Sequence, residues 1–184
     1  MTADGVRAAT AEDAPAVARV HVDTWRAAYA GVVPQAVLDG LSVERREAFW
    51  RKTVEEPGDH RLWVAESAGQ VVGFASTGPG RDDDLPAGAG ELMAIYVAPA
   101  AWGEGFGARL FRHAIADLRE RNIHPVVLWV LTDNPRGRNF YEAMGWQPDG
   151  AVRPIDFGGI AVEEIRYRSA PPGPPDAPTG ASAG

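Results

Sequence analysis

The sequence of 184 residues contains no cysteine. Disulfides, thiolate nucleophiles and cysteine-ligated metal centres are therefore excluded. Long hydrophobic runs are also missing, since no apolar stretch approaches the ~20 residues that a membrane span needs. The first residues join no basic segment to an apolar one, so no secretory signal is expected, and cytoplasmic location is the default reading. Positive charge is scarce: 18 Lys and Arg face 25 Asp and Glu, for a net charge of −7. A general nucleic-acid binder needs clustered Lys and Arg and is disfavoured. The acidic excess serves solubility and would modestly attract cationic substrates.

With 45% hydrophobic residues, the chain can bury the core of one globular domain. That domain is expected to run through residue 169. The segment 171–184, PPGPPDAPTGASAG, holds no core-forming side chains, and a disordered Pro/Gly-rich tail is expected over 170–184. Residues 6–9 read as a short strand. Thr10 and Asp13 form a capping-box pattern with Asp in the Glu position. Over 11–29, Ala14, Val17, Ala18, His21, Val22, Trp25 and Tyr29 recur at helical spacing. Gly31 and Pro34 break that helix, and Ser42 opens another through about residue 54. Strands at 62–67 and 71–77 flank a hairpin turn, Ala68-Gly69-Gln70. The segment 78–90, GPGRDDDLPAGAG, reads as a flexible polar loop. A strand at 91–97 and a helix at 105–122 follow. The helix should bury Phe106, Leu110, Phe111, Ala114, Ile115 and Leu118. Residues 126–131 are all apolar, as a strand covered on both faces requires. Asn134-Pro135 supplies an N-cap and a first-turn proline for a short helix ending near Gly145. A last strand is expected at 160–168, after a hairpin-like segment at 156–159. The unit 91–131 should be a right-handed parallel crossover. The expected architecture is an α/β fold with a mixed sheet and helices on both faces.

The segment 98–110 reads APAAWGEGFGARL. Gly103, Gly105 and Gly107 follow the strand at every second position, and helical periodicity begins at once. Strand, glycine-rich turn and helix start together form an anion pocket of main-chain N–H groups. Glycine permits close approach and positive φ. The helix start adds unpaired donors and the positive end of its dipole. The expected ligand carries phosphate. A dinucleotide is one candidate, because Gly103-x-Gly105-x-x-Ala108 fits G-x-G-x-x-G/A, with Asp133 about 25 residues on. Against it, residues 98–102 separate the strand from the glycines, and too little chain follows to complete a doubly wound half.

A second candidate comes from the ordered set ELMAIYVAPAAWGEGFGARLF at 91–111, VVLWVLTDNPRGRNFYEAMGW at 126–146, and a β-α-α start carrying Trp25 and Tyr29. Over roughly residues 5–168 the chain resembles the GNAT superfamily of acetyl-CoA-dependent N-acetyltransferases. Its signature is Arg or Gln, two residues, Gly, any residue, then Gly or Ala. Here that position reads Trp102-Gly103-Glu104-Gly105-Phe106-Gly107. Trp102 departs from the pattern, so a cation near the phosphates is lost or comes from Arg109, Arg136 or Arg138. As a surface aromatic, Trp102 could instead cover the adenine or the sheet edge.

The resemblance implies a mostly antiparallel sheet with one parallel β-α-β unit at 91–131. It also implies acetyl-CoA as co-substrate, with no metal, lying where the strands 91–97 and 126–131 splay apart. Ile95, Tyr96 and Val97 would run beside the pantetheine arm, paired through the main chain of Ile95 and Val97. Trp102, Gly103, Glu104, Gly105, Phe106, Gly107 and Ala108 would cradle the pyrophosphate, and Asn134 and Tyr141 would complete the site. A main-chain N–H of Met93, Ala94 or Ile95 could face the oxyanion. Tyr141 stands at the family's general-acid position, seven residues and two helical turns after Asn134. Glu91 is the leading candidate for a base, acting through water, with Asp23, His21 and Asp133 behind it. An amine of low pKa would need none. Trp25, Tyr29 and His21 recur four apart and read either as core or as an aromatic wall for the acceptor. Asp82, Asp83 and Asp84 could guide a cationic acceptor. The acceptor is expected to be a small-molecule or peptide amine. A non-catalytic acyl-CoA sensor of the same fold is the rival reading, and a homodimer through the last strands is compatible with the sequence.

Overall fold

The computed structural model describes residues 5–169, so the tail expected at 170–184 lies outside the described residues. The sheet begins with β1 (Gly5–Ala8), β2 (Arg61–Ser67), β3 (Gln70–Pro79) and β4 (Gly90–Val97). These four pair antiparallel in chain order. β5 (Val126–Leu131), β6 (Gln147–Asp156) and β7 (Ala161–Arg168) extend the sheet to the order β1-β2-β3-β4-β5-β7-β6. Among the described strands, only β4 and β5 run parallel to each other. The mixed, mostly antiparallel fold read from the sequence is therefore the fold observed.

The helices divide between the two faces. α1 (Ala14–Ala28) and α3 (Val43–Glu55) pack Val17, Val20 and Trp50 against Val64 and Phe74. α2 (Gln35–Asp39) caps the end of α1 through Leu38. On the opposite face α4 (Phe106–Glu120) buries the six side chains its periodicity predicts, against Leu92, Val126 and Leu128. α5 (Pro135–Ala143) starts at Asn134, whose Oδ1 accepts from the Gly137 N–H at 2.9 Å. Among the described residues, no helix is long and apolar enough to cross a membrane.

Several details differ from the sequence reading, which placed no element at α2. β6 is a strand that the sequence did not suggest, because Pro148, Gly150 and Pro154 interrupt its pattern. Such residues are tolerated there because β6 lies at the sheet edge. The first helix starts three residues late, since residues 11–13 form a 3-10 turn. There the Asp13 carboxylate accepts from the Thr10 N–H at 2.7 Å and from Arg7 at 2.7 and 2.9 Å. The segment between β3 and β4 is also anchored. Asp82 and Asp84 accept from the buried Arg166 of β7 at 3.0 and 2.6–2.7 Å. Asp149 binds the same guanidinium at 2.8 Å, so a buried cation is fully paired rather than stranded.

Candidate active site

β4 and β5 share only two parallel pairs, Gly90↔Val126 and Glu91↔Val127. Beyond Glu91 they part and leave a slot. The Ala98 N–H donates to Val72 O at 2.8 Å, which fixes the parity of the β3–β4 ladder. Because such ladders alternate, Tyr96 and Ala94 bond to β3, whereas Ile95 and Val97 turn their N–H and C=O groups toward the slot. The Val97 carbonyl is already engaged, accepting from Trp102 Nε1 at 2.7 Å and Thr24 Oγ1 at 3.0 Å. A register shift at Ser76/Thr77 leaves Met93 without a β3 partner. Bulges of this kind re-aim backbone groups beside functional sites.

The slot opens onto a cavity of about 710 Å³. At one end Trp102, Gly103, Gly105, Phe106, Gly107 and Ala108 line it. Gly103 and Gly105 have φ of +87° and +82°, and a Cβ on either would meet nothing within 4 Å. The left-handed turn therefore leaves open space in front of the first N–H groups of α4, where an anion is favoured. Glu104 is exposed at the rim and lies outside the lining. Of the three candidate cations, Arg136 lines the cavity, its guanidinium stacked 3.7 Å above the Trp102 ring. Arg109 lies over Phe106, and Arg138 is engaged with Tyr167 Oη and Thr132 O.

Asn134 and Tyr141 both face the cavity from α5. The Tyr141 ring packs near Phe111, Phe140 and Tyr167, with centroids 5.3–6.2 Å away. Burial, then the neighbouring Tyr96, pushes its phenol above the ordinary tyrosine value, so it keeps its proton at neutral pH.

At the other end lie Trp25, Tyr29 and Glu91, joined by residues that the sequence reading did not single out: Arg81, Trp129, Arg153, Phe157 and Glu164. Trp25 and Tyr29 meet edge-on at 4.9 Å. His21 is placed elsewhere. It sits in the core among Trp50, Phe74 and Tyr96, accepts at Nδ1 from Trp50 Nε1 at 3.2 Å, and lines a separate cleft. Burial, then Arg46, pushes it down to about 3. Asp23 and Asp133 are exposed and outside the cavity lining. Glu91 is 2% exposed and accepts two hydrogen bonds from Arg81, at 2.9 Å from Nε and 2.5 Å from Nη2. Glu164 is held by Arg153 at 3.0 Å, and burial raises its carboxyl above the ordinary glutamate value. Arg153 in turn stacks 4.0 Å above Trp129, whose Nε1 donates to Asp82 at 3.0 Å.

Comparison with known proteins bears on this arrangement. The family described as Acetyltransferase (GNAT) family matches residues 22–146. A Mycobacterium tuberculosis protein named as a probable N-acetyltransferase is 31% identical over 91% of this chain and 96% of its own. Two solved structures share the fold. The PaiA N-acetyltransferase of Thermoplasma acidophilum in complex with coenzyme A has a TM-score of 0.72 and 18% identity, covering 91% of this chain and 99% of its own. YncA of Salmonella typhimurium with acetyl-CoA has a TM-score of 0.71 and 23% identity, covering 96% and 99%.

Proposed function

Because the chain belongs to the GNAT acetyltransferase family, we propose that it transfers an acetyl group from acetyl-CoA directly to a primary amine, both bound together. The observation that carries this reading is the slot between β4 and β5, closed at one end by the left-handed turn Gly103–Gly105 and the start of α4. These residues fit acetyl-CoA. The open space before the α4 N–H groups suits the pyrophosphate, Arg136 adds positive charge there, and the slot-facing main chain of Ile95 suits an extended amide-bearing arm. At Val97 the carbonyl is already taken, so its N–H is the group left to offer.

When bound, acetyl-CoA supplies the thioester and the departing thiol. The slot-facing N–H of Ile95, or that of the bulged Met93, offers a fixed dipole to the carbonyl oxygen as it gains charge. Tyr141 Oη holds the proton that the departing sulfur requires. Glu91 takes the ammonium proton through water, and Arg81 fixes its orientation. Glu164 is a second proton acceptor at the same end, favoured by its raised carboxyl.

The test is thiol release from acetyl-CoA across a broad amine panel, with CoA and NAD compared as thermal stabilisers. Turnover with some amine, and stabilisation by CoA alone, are expected. Tight CoA binding without any turnover would replace transfer by sensing, and stabilisation by NAD would sink the assignment of the cradle.

A further inference from the structure

The acceptor end of the cavity carries two ion pairs, and they are not symmetric. Both carboxylates lie deep, Glu91 at 2% and Glu164 at 13% side-chain exposure. Both guanidinium groups lie toward solvent, Arg81 at 59% and Arg153 at 36%. Nearby Asp82 and Asp84 are bound to Arg166, and Asp82 also to Arg153. An approaching ligand therefore meets the outer faces of two arginines before any unshared carboxylate. A bare polyamine finds no free anion there, despite the net charge of −7. An anionic oxyacid finds the Nη1 side of the exposed Arg81, whose Nε and Nη2 are held by Glu91, whereas Arg153 is already engaged by Glu164, Asp82 and the Trp129 ring. The cavity is also lined by the rings of Trp25, Tyr29 and Phe157, whose faces offer apolar contact.

We propose that the acceptor is a zwitterion: a small molecule carrying its primary amine and a carboxylate together, as a free α-amino acid with an apolar side chain does. This rests on the acetyl-transfer reading above and names its substrate class. The carboxylate docks on the Nη1 side of Arg81, the side chain lies on Trp25, Tyr29 and Phe157, and the amine enters the slot on the Glu91 and Glu164 side. Transfer then forms an N–C bond to the acetyl carbon and breaks the S–C bond. The amine loses one proton to the carboxylate side and the sulfur gains one from Tyr141. A peptide N-terminus lacks the adjacent carboxylate and a polyamine lacks it altogether, so both are discriminated against.

The experiment uses matched trios on the full chain: phenylalanine, phenylalanine amide and phenethylamine, then methionine, methionine amide and 3-(methylthio)propylamine, with spermidine as the polycation. Rates of thiol release give kcat/KM, and thermal shifts of the CoA-loaded protein give binding without turnover. The acid form is expected to exceed its amide and its decarboxylated analogue at least tenfold in kcat/KM. The amide is the weaker base and carries more free amine, so this bias works against the expected result. Arg81→Lys should shrink the acid preference through KM while keeping the charge that Glu91 needs. An amide, a decarboxylated amine or spermidine that matches or beats the acid overturns the proposal. If the acids alone bind but nothing turns over, the zwitterion site stands and acetyl transfer fails. If no acid binds, the site itself is refuted.

Discussion

The Arg136 guanidinium lies 3.7 Å above the Trp102 ring, and Trp102 Nε1 donates to Val97 O at 2.7 Å. One side chain thus ties the end of β4 to a cation on α5. At the position where GNAT proteins usually carry Arg or Gln, this chain uses an aromatic to hold an arginine borrowed from another element. Arg136→Ala should raise KM for acetyl-CoA about tenfold, the effect of losing one charged hydrogen bond, with kcat nearly unchanged. Trp102→Leu should raise it less, because the guanidinium remains but loses its platform. Steady-state kinetics with varied acetyl-CoA checks both. Equal KM in all three proteins would show that Arg136 does not touch the phosphates.

Tyr141 holds its proton in a site where burial opposes ionisation. Tyr141→Phe keeps the ring contacts with Phe111 and Phe140 and removes only the hydroxyl. The expected loss is about 10²–10⁴-fold in kcat, the range for a general acid, with KM for acetyl-CoA within a few-fold. An unchanged kcat would leave Tyr141 as a packing residue.

How far the sequence revealed this site depends on whether a signal is local. The glycine turn, the Asn134 cap and the apolar strand β5 are written in neighbouring residues, and each was found where its pattern placed it. The acceptor end was less legible. Arg153, Glu164 and Trp129 come together only through the β5-β7-β6 order, and the prolines of β6 hid the strand that carries Arg153. The acid run 82–84 looked like a free loop because its partner, Arg166, lies about eighty residues away in the chain. His21, Trp25 and Tyr29 show the limit of a stripe. Each four-residue step turns a helix about 40°, so the stripe drifts from the core at His21 to the cavity at Tyr29.

His21 gives the fold a dependence on pH. A free histidine titrates near 6.5, and in the fold burial, then Arg46, pushes His21 down to about 3. Between those values the unfolded chain binds a proton that the native chain refuses, so stability falls as pH drops from about 6.5 toward 3. From pH 7.5 to 5 this group should cost roughly 2 kcal/mol. His21→Asn keeps an acceptor for Trp50 Nε1 but does not titrate, so its urea midpoint should change less over the same interval. Parallel changes in both proteins would assign the acid sensitivity to other groups.

The glycines of the site separate backbone from steric causes. At Gly105 an added Cβ meets nothing, yet φ is +82°, so Gly105→Val strains the turn by ~1–2 kcal/mol or more and re-aims its N–H groups. CoA binding should be lost while the thermal midpoint moves little. At Gly107 a Cβ would rest 3.5 Å from Phe140: alanine should be accepted, whereas the branches of valine should push α5 away and also weaken CoA. At Gly137 a Cβ would lie 2.8 Å from Asn134 Nδ2 and 3.1 Å from Val130 Cγ2. Gly137→Ala must displace the Asn134 cap, costing about 1 kcal/mol, and should lower kcat because Tyr141 rides on the same helix. Calorimetry with CoA and thermal melts of the four variants distinguish these effects, and normal CoA affinity in Gly105→Val would remove the turn from the binding site.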